Sequence, residues 1–182
     1  MPAAAEAWAF LENSDLVSSA AEVQAAIARL AAGIEVQFRE RYPLVLLVMG
    51  GAVVFAGQLL PRLRIPLDVD YIHVTRYGNS TQGGEVRWRV DPPEAVRGRH
   101  VLVVDDILDG GHTMAAIRAR VMEGGAASFA CAVLVEKMLK AAKPIKADFV
   151  GLGIPDRFVF GCGMDAKGLW RNLPEIRALR GA

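Results

Sequence analysis

The period of the hydrophobic positions changes several times along the chain, and each change marks an element. Ser19-Ala20-Ala21-Glu22 has the form of a capping box, and Val23, Ile27, Leu30, Ile34 and Phe38 follow at helical spacing, which predicts an amphipathic helix ending before Pro43. Leu44 to Val48 reads as a buried strand, Met49-Gly50-Gly51 as a tight turn, and Ala52 to Leu63 as a helix stopped by Arg-rich sequence and Pro66. Asp68 to Val74 is a further strand. In Glu85 to Val90, Val86, Trp88 and Val90 alternate with Glu85, Arg87 and Arg89, the pattern of a half-exposed strand. Between these two strands Thr75 to Gly84, TRYGNSTQGG, has the composition of a long mobile loop, which predicts a lid. Val101 to Val104 is apolar on both faces. A helix follows from Thr113 with Met114, Ile117 and Val121 on one side and a stop at Gly124-Gly125. Ser128 to Val135 and Asp148 to Gly151 complete the buried strands. Met1 to Val17 is Ala-rich and weakly patterned, and predicts only a short helix carrying Trp8 and Phe10 into the domain or a partner.

Strands alternating with helical crossovers predict an α/β fold, a parallel sheet with helices on both faces. Ligands in such sheets sit at the carboxyl ends of the strands. That rule brings Met49-Gly50-Gly51, Asp105 to Thr113, Glu136-Lys137 and the chain from Ile154 onward to one edge. With 182 residues the chain makes one domain able to bury a core without disulfides. A hydrophobic share of 53% and a mean hydropathy of +0.27 suggest apolar surface covered by another subunit. The formal charge of +1 comes from well-mixed residues and lacks the basic stripe of a nucleic-acid binder. Cys131 and Cys162 have no metal or redox spacing, which fits buried thiols in a reducing cytoplasm. Glu6 stands where an export signal needs basic charge. The most apolar stretch, Leu44 to Leu60, is interrupted by Gly50-Gly51 and Gln58 and bounded by Pro43 and Pro61, too short to span a bilayer.

The chemistry concentrates in His100 to Met114, HVLVVDDILDGGHTM. After the strand this reads as a loop with three carboxylates, Asp105, Asp106 and Asp109, followed by Gly110 and Gly111. Two glycines entering a helix N-terminus can form a nest of N–H groups that binds phosphate. Carboxylates beside a phosphate need another purpose: hydroxyls, Mg²⁺ or a proton to remove, which together describe a phosphorylated sugar carried with a metal. Neither GxxxxGK[ST] nor a post-strand GxGxxG is present. His73, His100 and His112 have no metal-ligand spacing and read as satisfied or exposed histidines.

The pattern hydrophobic-hydrophobic-Asp-Asp-x-x-Asp-x-Gly-x-Thr resembles the phosphoribosyl-diphosphate (PRPP) signature of type I phosphoribosyltransferases. Ala147 to Leu173, ADFVGLGIPDRFVFGCGMDAKGLWRNL, resembles the C-terminal hood of the hypoxanthine-guanine members, and the likeness runs over roughly residues 40 to 175. It implies a parallel sheet of about five strands, a flexible loop and a hood made mainly by residues 154–182 with the N-terminal segment. It further implies that Asp105 and Asp106 meet the ribose hydroxyls and their Mg²⁺. Asp109 would be the acid/base facing purine N7, and Gly110, Gly111, His112 and Thr113 would hold the 5′-phosphate. Lys137 would donate to the purine 6-oxo group, Phe158 would stack on the base and the Val159 backbone would read its edge. Asp165 would approach a second Mg²⁺, Arg171 would hold pyrophosphate with the Met49-Gly50 peptide, and Tyr77 would close over the reacting centre. Three positions depart from the family: Met49 replaces a basic residue, Arg76 a small hydroxyl residue, and Gly110 a Ser or Thr. The implied protein is a cytoplasmic purine-salvage enzyme, a homodimer or homotetramer, using PRPP with hypoxanthine or guanine, and xanthine as a third candidate, with no nucleic-acid or membrane partner. The competing class is a non-catalytic regulator that senses PRPP or nucleotides, against which near-neutral charge and the retained Asp109 speak.

Overall fold

Ser19 Oγ accepts from the Glu22 N–H at 3.3 Å and the Glu22 carboxylate accepts from the Ser19 N–H at 2.7 Å, so the capping box forms and helix α2 runs Ala20–Phe38. Its apolar face, Val23, Ile27, Leu30, Ile34 and Phe38, is buried as the spacing predicts. Each such side chain contributes about 1.5–3 kcal/mol on burial. The computed structural model describes residues 4–76 and 86–181. In order these form α1 (Ala4–Glu12), β1 (Ser14–Ser18), α2, β2 (Leu44–Met49), α3 (Ala52–Leu59), β3 (Asp68–Arg76), β4 (Val86–Val90), β5 (His100–Leu108), α4 (His112–Glu123), β6 (Ser128–Lys137), β7 (Phe149–Ile154), β8 (Val159–Phe160) and β9 (Ile176–Leu179).

The main sheet has six strands in the order β4-β3-β2-β5-β6-β7, all parallel except β4, which pairs antiparallel with β3 at the edge. Strand β5 is central, and both of its faces are covered. Leu102 and Val104 pack with residues of α2 and α3, while Val101 and Val103 pack with Met114, Ile117 and Val121 of α4. This is why its sequence is continuously apolar and does not alternate. Edge strand β4 has one buried side only: Val86, Trp88 and Val90 are half-buried and Arg87 and Arg89 are exposed.

Four expectations are corrected. Asp105 and Asp106 lie in β5, not in a loop, because the ladder to β6 continues to Leu108↔Glu136. The helix expected over 52–63 gives way after Leu59 to a 3₁₀ turn at Leu60–Arg62, where Pro61 supplies no N–H to continue it. The loop expected from Thr75 starts later, since Thr75 and Arg76 still pair with β4; the remainder of the expected lid, with Tyr77, lies outside the described residues. The N-terminal segment is more than a short helix. Its β1 pairs with β9, and β9 with β8, forming a second antiparallel sheet that joins the chain's beginning to its end. Arg157 and Arg180 both hold Asp15 of β1, at 2.7 and 2.8 Å, and Trp8 meets Trp170 edge-on at 5.1 Å.

Candidate active site

The carboxyl ends of β2, β3, β5 and β6 open into a cavity of about 520 Å³, closed on its far side by the chain after Ile154. Met49, Gly50, Asp105, Asp106, Asp109, Gly110, Gly111, Thr113, Lys137, Phe158, Val159, Asp165 and Arg171 all line it. Thirteen of the fifteen residues singled out from sequence therefore converge on one place. His112 is an exception. It heads α4 with its side chain exposed and outside the cavity lining, its ring lying beside Gly110. Tyr77 lies outside the described residues.

Gly111 precedes α4 with φ +79°, a left-handed conformation open to glycine, and a Cβ there would meet Lys143 at 3.3 Å and Pro144 at 3.4 Å. The first bond of α4 runs from the Ala115 N–H to the Gly111 carbonyl at 2.9 Å, which leaves the N–H groups of His112, Thr113 and Met114 without a partner in the helix. With the helix dipole behind them these donors suit an anion.

Asp105 and Asp106 stand side by side at the floor, where Asp105 Oδ1 accepts from the Asp106 N–H at 2.9 Å. Burial pushes the Asp105 carboxyl well above the usual carboxylate range, and the charge of Asp106 adds to the rise. Burial also raises Asp106, against the opposing pull of its hydrogen bond to Asp105 and of the Arg171 guanidinium. The backbone comes close to this pair. A Cβ on Gly51 would meet an Asp106 oxygen at 2.0 Å, and one on Gly163, at φ +107°, would meet the Gly51 carbonyl at 1.9 Å. Among the described residues no three His, Cys, Asp or Glu side chains converge as a metal cage. Two adjacent carboxylates with raised affinity for protons nevertheless fit Mg²⁺, which keeps much of its octahedron for water and phosphate oxygens.

Lys137 is mostly buried and lies between two carboxylates, 3.1 Å from Asp109 Oδ2 and 3.6 Å from Asp156 Oδ1. Phe158, although aromatic, leaves 44% of its surface exposed at the cavity wall. Arg171 donates to the Gly163 carbonyl and pairs with Asp165, both at 2.5 Å, and Asp165 also accepts from the Gly168 N–H at 2.6 Å. Asp165 is thus both a turn residue and an ion-pair partner. Burial pushes the Cys131 thiol up to about 12 and the Cys162 thiol up to about 11, which removes both as nucleophiles. The sequence reading missed His73, Thr75, Met164 and Asp156. His73 pairs in register with Met49 at the carboxyl end of β3, and the same edge rule that found Met49 would have found it. No sequence signal shows that Gly163 meets Gly51.

The assembled groups can hold a phosphate, a divalent cation and a flat base, and can accept one proton. The phosphoribosyl transferase domain model matches residues 17–167. The chain is 35% identical over 162 residues to a hypoxanthine-guanine phosphoribosyltransferase of Bacillus subtilis (strain 168), covering 88% of this chain and 90% of that one. It is 31% identical over 160 residues to one of Streptococcus pneumoniae (strain ATCC BAA-255 / R6), covering 87% and 89%. A solved hypoxanthine phosphoribosyltransferase from Staphylococcus aureus superposes with a TM-score of 0.86 at 27% identity, covering 94% of this chain and 95% of that one. A hypoxanthine-guanine phosphoribosyltransferase structure from Bacillus anthracis gives 0.82 at 28% identity, covering 91% and 97%.

Proposed function

The chain belongs to the phosphoribosyltransferase family, and from that premise we propose that it moves the phosphoribosyl group of PRPP to N9 of hypoxanthine or guanine, releasing pyrophosphate. The N–H groups at the start of α4, with the Thr113 hydroxyl, hold the 5′-phosphate. Asp105 and Asp106 orient the ribose hydroxyls and hold the Mg²⁺ that accompanies PRPP, which when bound supplies positive charge to the departing pyrophosphate. Arg171 and the Met49-Gly50 peptide hold that leaving group. Phe158 stacks on the base. As N9 gives its electron pair to C1′, the C1′–oxygen bond breaks toward pyrophosphate and Asp109 takes the proton from N7. Positioning and electrostatics carry most of the rate, because the sugar develops positive charge between fixed groups.

The observation that carries this reading is the Lys137–Asp109 pair at 3.1 Å beside Phe158 in the cavity. An ammonium has donors and no acceptor, so it pairs with a 6-oxo purine and opposes the 6-amino group of adenine. A site built on such a bond rejects a ligand lacking the partner by on the order of 10⁴–10⁵-fold. The test is nucleotide formation from PRPP and Mg²⁺ with hypoxanthine, guanine, xanthine or adenine. The oxo-purines should react and adenine should not, and Lys137→Ala should weaken the former and narrow the gap. No product from any oxo-purine would overturn the function, and a kcat/KM for adenine within about tenfold of that for guanine would return Lys137 to a structural role. The exposed apolar side chains Val53, Val69 and Tyr71 support a homodimer or homotetramer, which sedimentation would measure. The free thiols Cys131 and Cys162 support a reducing, cytoplasmic setting; no helix among the described residues is long and apolar enough to cross a membrane.

A further inference from the structure

The ladder between β5 and β6 stops at Leu108↔Glu136, one residue short of the two side chains that meet the purine, Asp109 and Lys137. Past that point no strand pairing holds the two chain ends together. Lys143, in the connection after β6, takes over. Its ammonium donates to the Leu108 carbonyl at 3.1 Å, to Glu136 Oε1 at 3.1 Å and to the Lys137 carbonyl at 2.7 Å. An ammonium has three N–H donors, and here all are used. The side chain is only 10% exposed, and a charge is held so far from water only where every donor is satisfied. Two of its acceptors are the backbone points from which the reacting side chains leave: the peptide entering Asp109 and the residue Lys137 itself. The same stretch backs the phosphate loop, since Lys143 and Pro144 lie where a Cβ on Gly111 would fall.

We propose that Lys143 is a positioning residue for base recognition, clamping the ends of β5 and β6 so that the Asp109 carboxylate and the Lys137 ammonium meet one purine ring at N7 and the 6-oxo group together. This role rests on the reading of Asp109 and Lys137 given above. Lys143 touches neither substrate; it acts through the two strand ends. A displacement of about 1 Å between reacting groups can lower a rate by about 10²-fold, so loss of the clamp falls on kcat and on the choice between oxo- and amino-purines.

The test uses the full chain with Lys143→Met, which keeps the length of the side chain and removes its charge, with Lys143→Arg, and with the pair Glu136→Gln/Lys143→Met, which leaves no orphaned carboxylate. Lys143→Met should lower kcat with guanine by roughly 10–100-fold, leave the KM for PRPP within about twofold, and reduce the preference for guanine over adenine. Lys143→Arg should recover part of the rate. The double variant should regain melting temperature without regaining kcat. Crystals of ligand-free Lys143→Met should show Lys137 and Asp109 no longer in contact, a result that does not depend on which reaction the protein catalyses. An unchanged Lys137–Asp109 contact, or kcat restored in step with stability in the double variant, would overturn the proposal. Failure of the wild-type protein to act on any purine would instead overturn the function while leaving the contact measurement to decide on Lys143.

Discussion

Asp109 has 54% of its side chain exposed, while Lys137 beside it has 13% exposed and carries the opposite charge. The lysine therefore pairs with the carboxylate proposed to take the proton, and under that proposal a base that recruits the ammonium to its 6-oxo group frees that carboxylate. Asp109→Asn should keep PRPP binding and lower kcat by roughly 10²–10⁴-fold, the range for a lost general base. Steady-state rates with PRPP binding measured in parallel check this, and a near-normal kcat would remove Asp109 from the proton transfer. Asp105 is a different kind of residue. It is buried beside another carboxylate, so its charge costs stability in the free protein. Sites of this kind trade stability for binding.

At the scale of elements, local rules and tertiary contacts divide the work unequally. The start of α2 is local, because Ser19 and Glu22 satisfy each other's backbone N–H groups within one turn. Ser19→Ala should cost about 1 kcal/mol, within a range of roughly 0.5–2 for N-caps, with kcat unchanged; urea unfolding followed by circular dichroism measures it. The end of β5 is not local. Two aspartates have poor strand propensity and read as a loop, yet β6 pairs alongside them and extends the strand through both. This extension directs Asp105 and Asp106 into the cavity floor. The strands β1 and β9 are likewise products of pairing: each is too short to declare itself, and they meet only because the chain ends come together.

For the whole molecule the buried pair sets a pH dependence. Both carboxyls are raised, so between the ordinary carboxylate range and their raised values the folded state binds more protons than the unfolded state. Stability then falls as pH rises through that window and is flat above it. Asp15 and Asp68, lowered by Arg180 and by Arg99 respectively, act in the opposite sense, but both side chains are nearly half exposed and well screened. Asp105→Asn removes the leading raised group. Its ligand-free melting temperature should exceed that of the wild type by a margin that grows as pH rises above the ordinary carboxylate range toward the raised value, on the order of a few degrees. Scanning calorimetry of both proteins across that range checks it, and a margin that shrinks with rising pH would mean that Asp105 is not the strained group. PRPP with Mg²⁺ should close the margin, since it stabilises the wild type by binding the folded state alone.

By itself the sequence determined whatever depends on neighbours in the chain. The helical face of α2, the continuous apolar run of β5, the glycines before α4 and the edge along which the site must lie all follow from period, capping and strand direction. The resemblance of two motifs carried the reaction class. Tertiary structure decided what depends on groups distant in sequence. The clamp from Lys143 onto two strand ends, the close approach of Gly163 to Gly51 beneath Asp106, and the pairing of Trp8 with Trp170 leave no periodic trace. The physical reason is that a pattern records which face of an element avoids water. A hydrogen bond between two loops, or a backbone approach that excludes even a methyl group, depends on distances set only when the elements have packed.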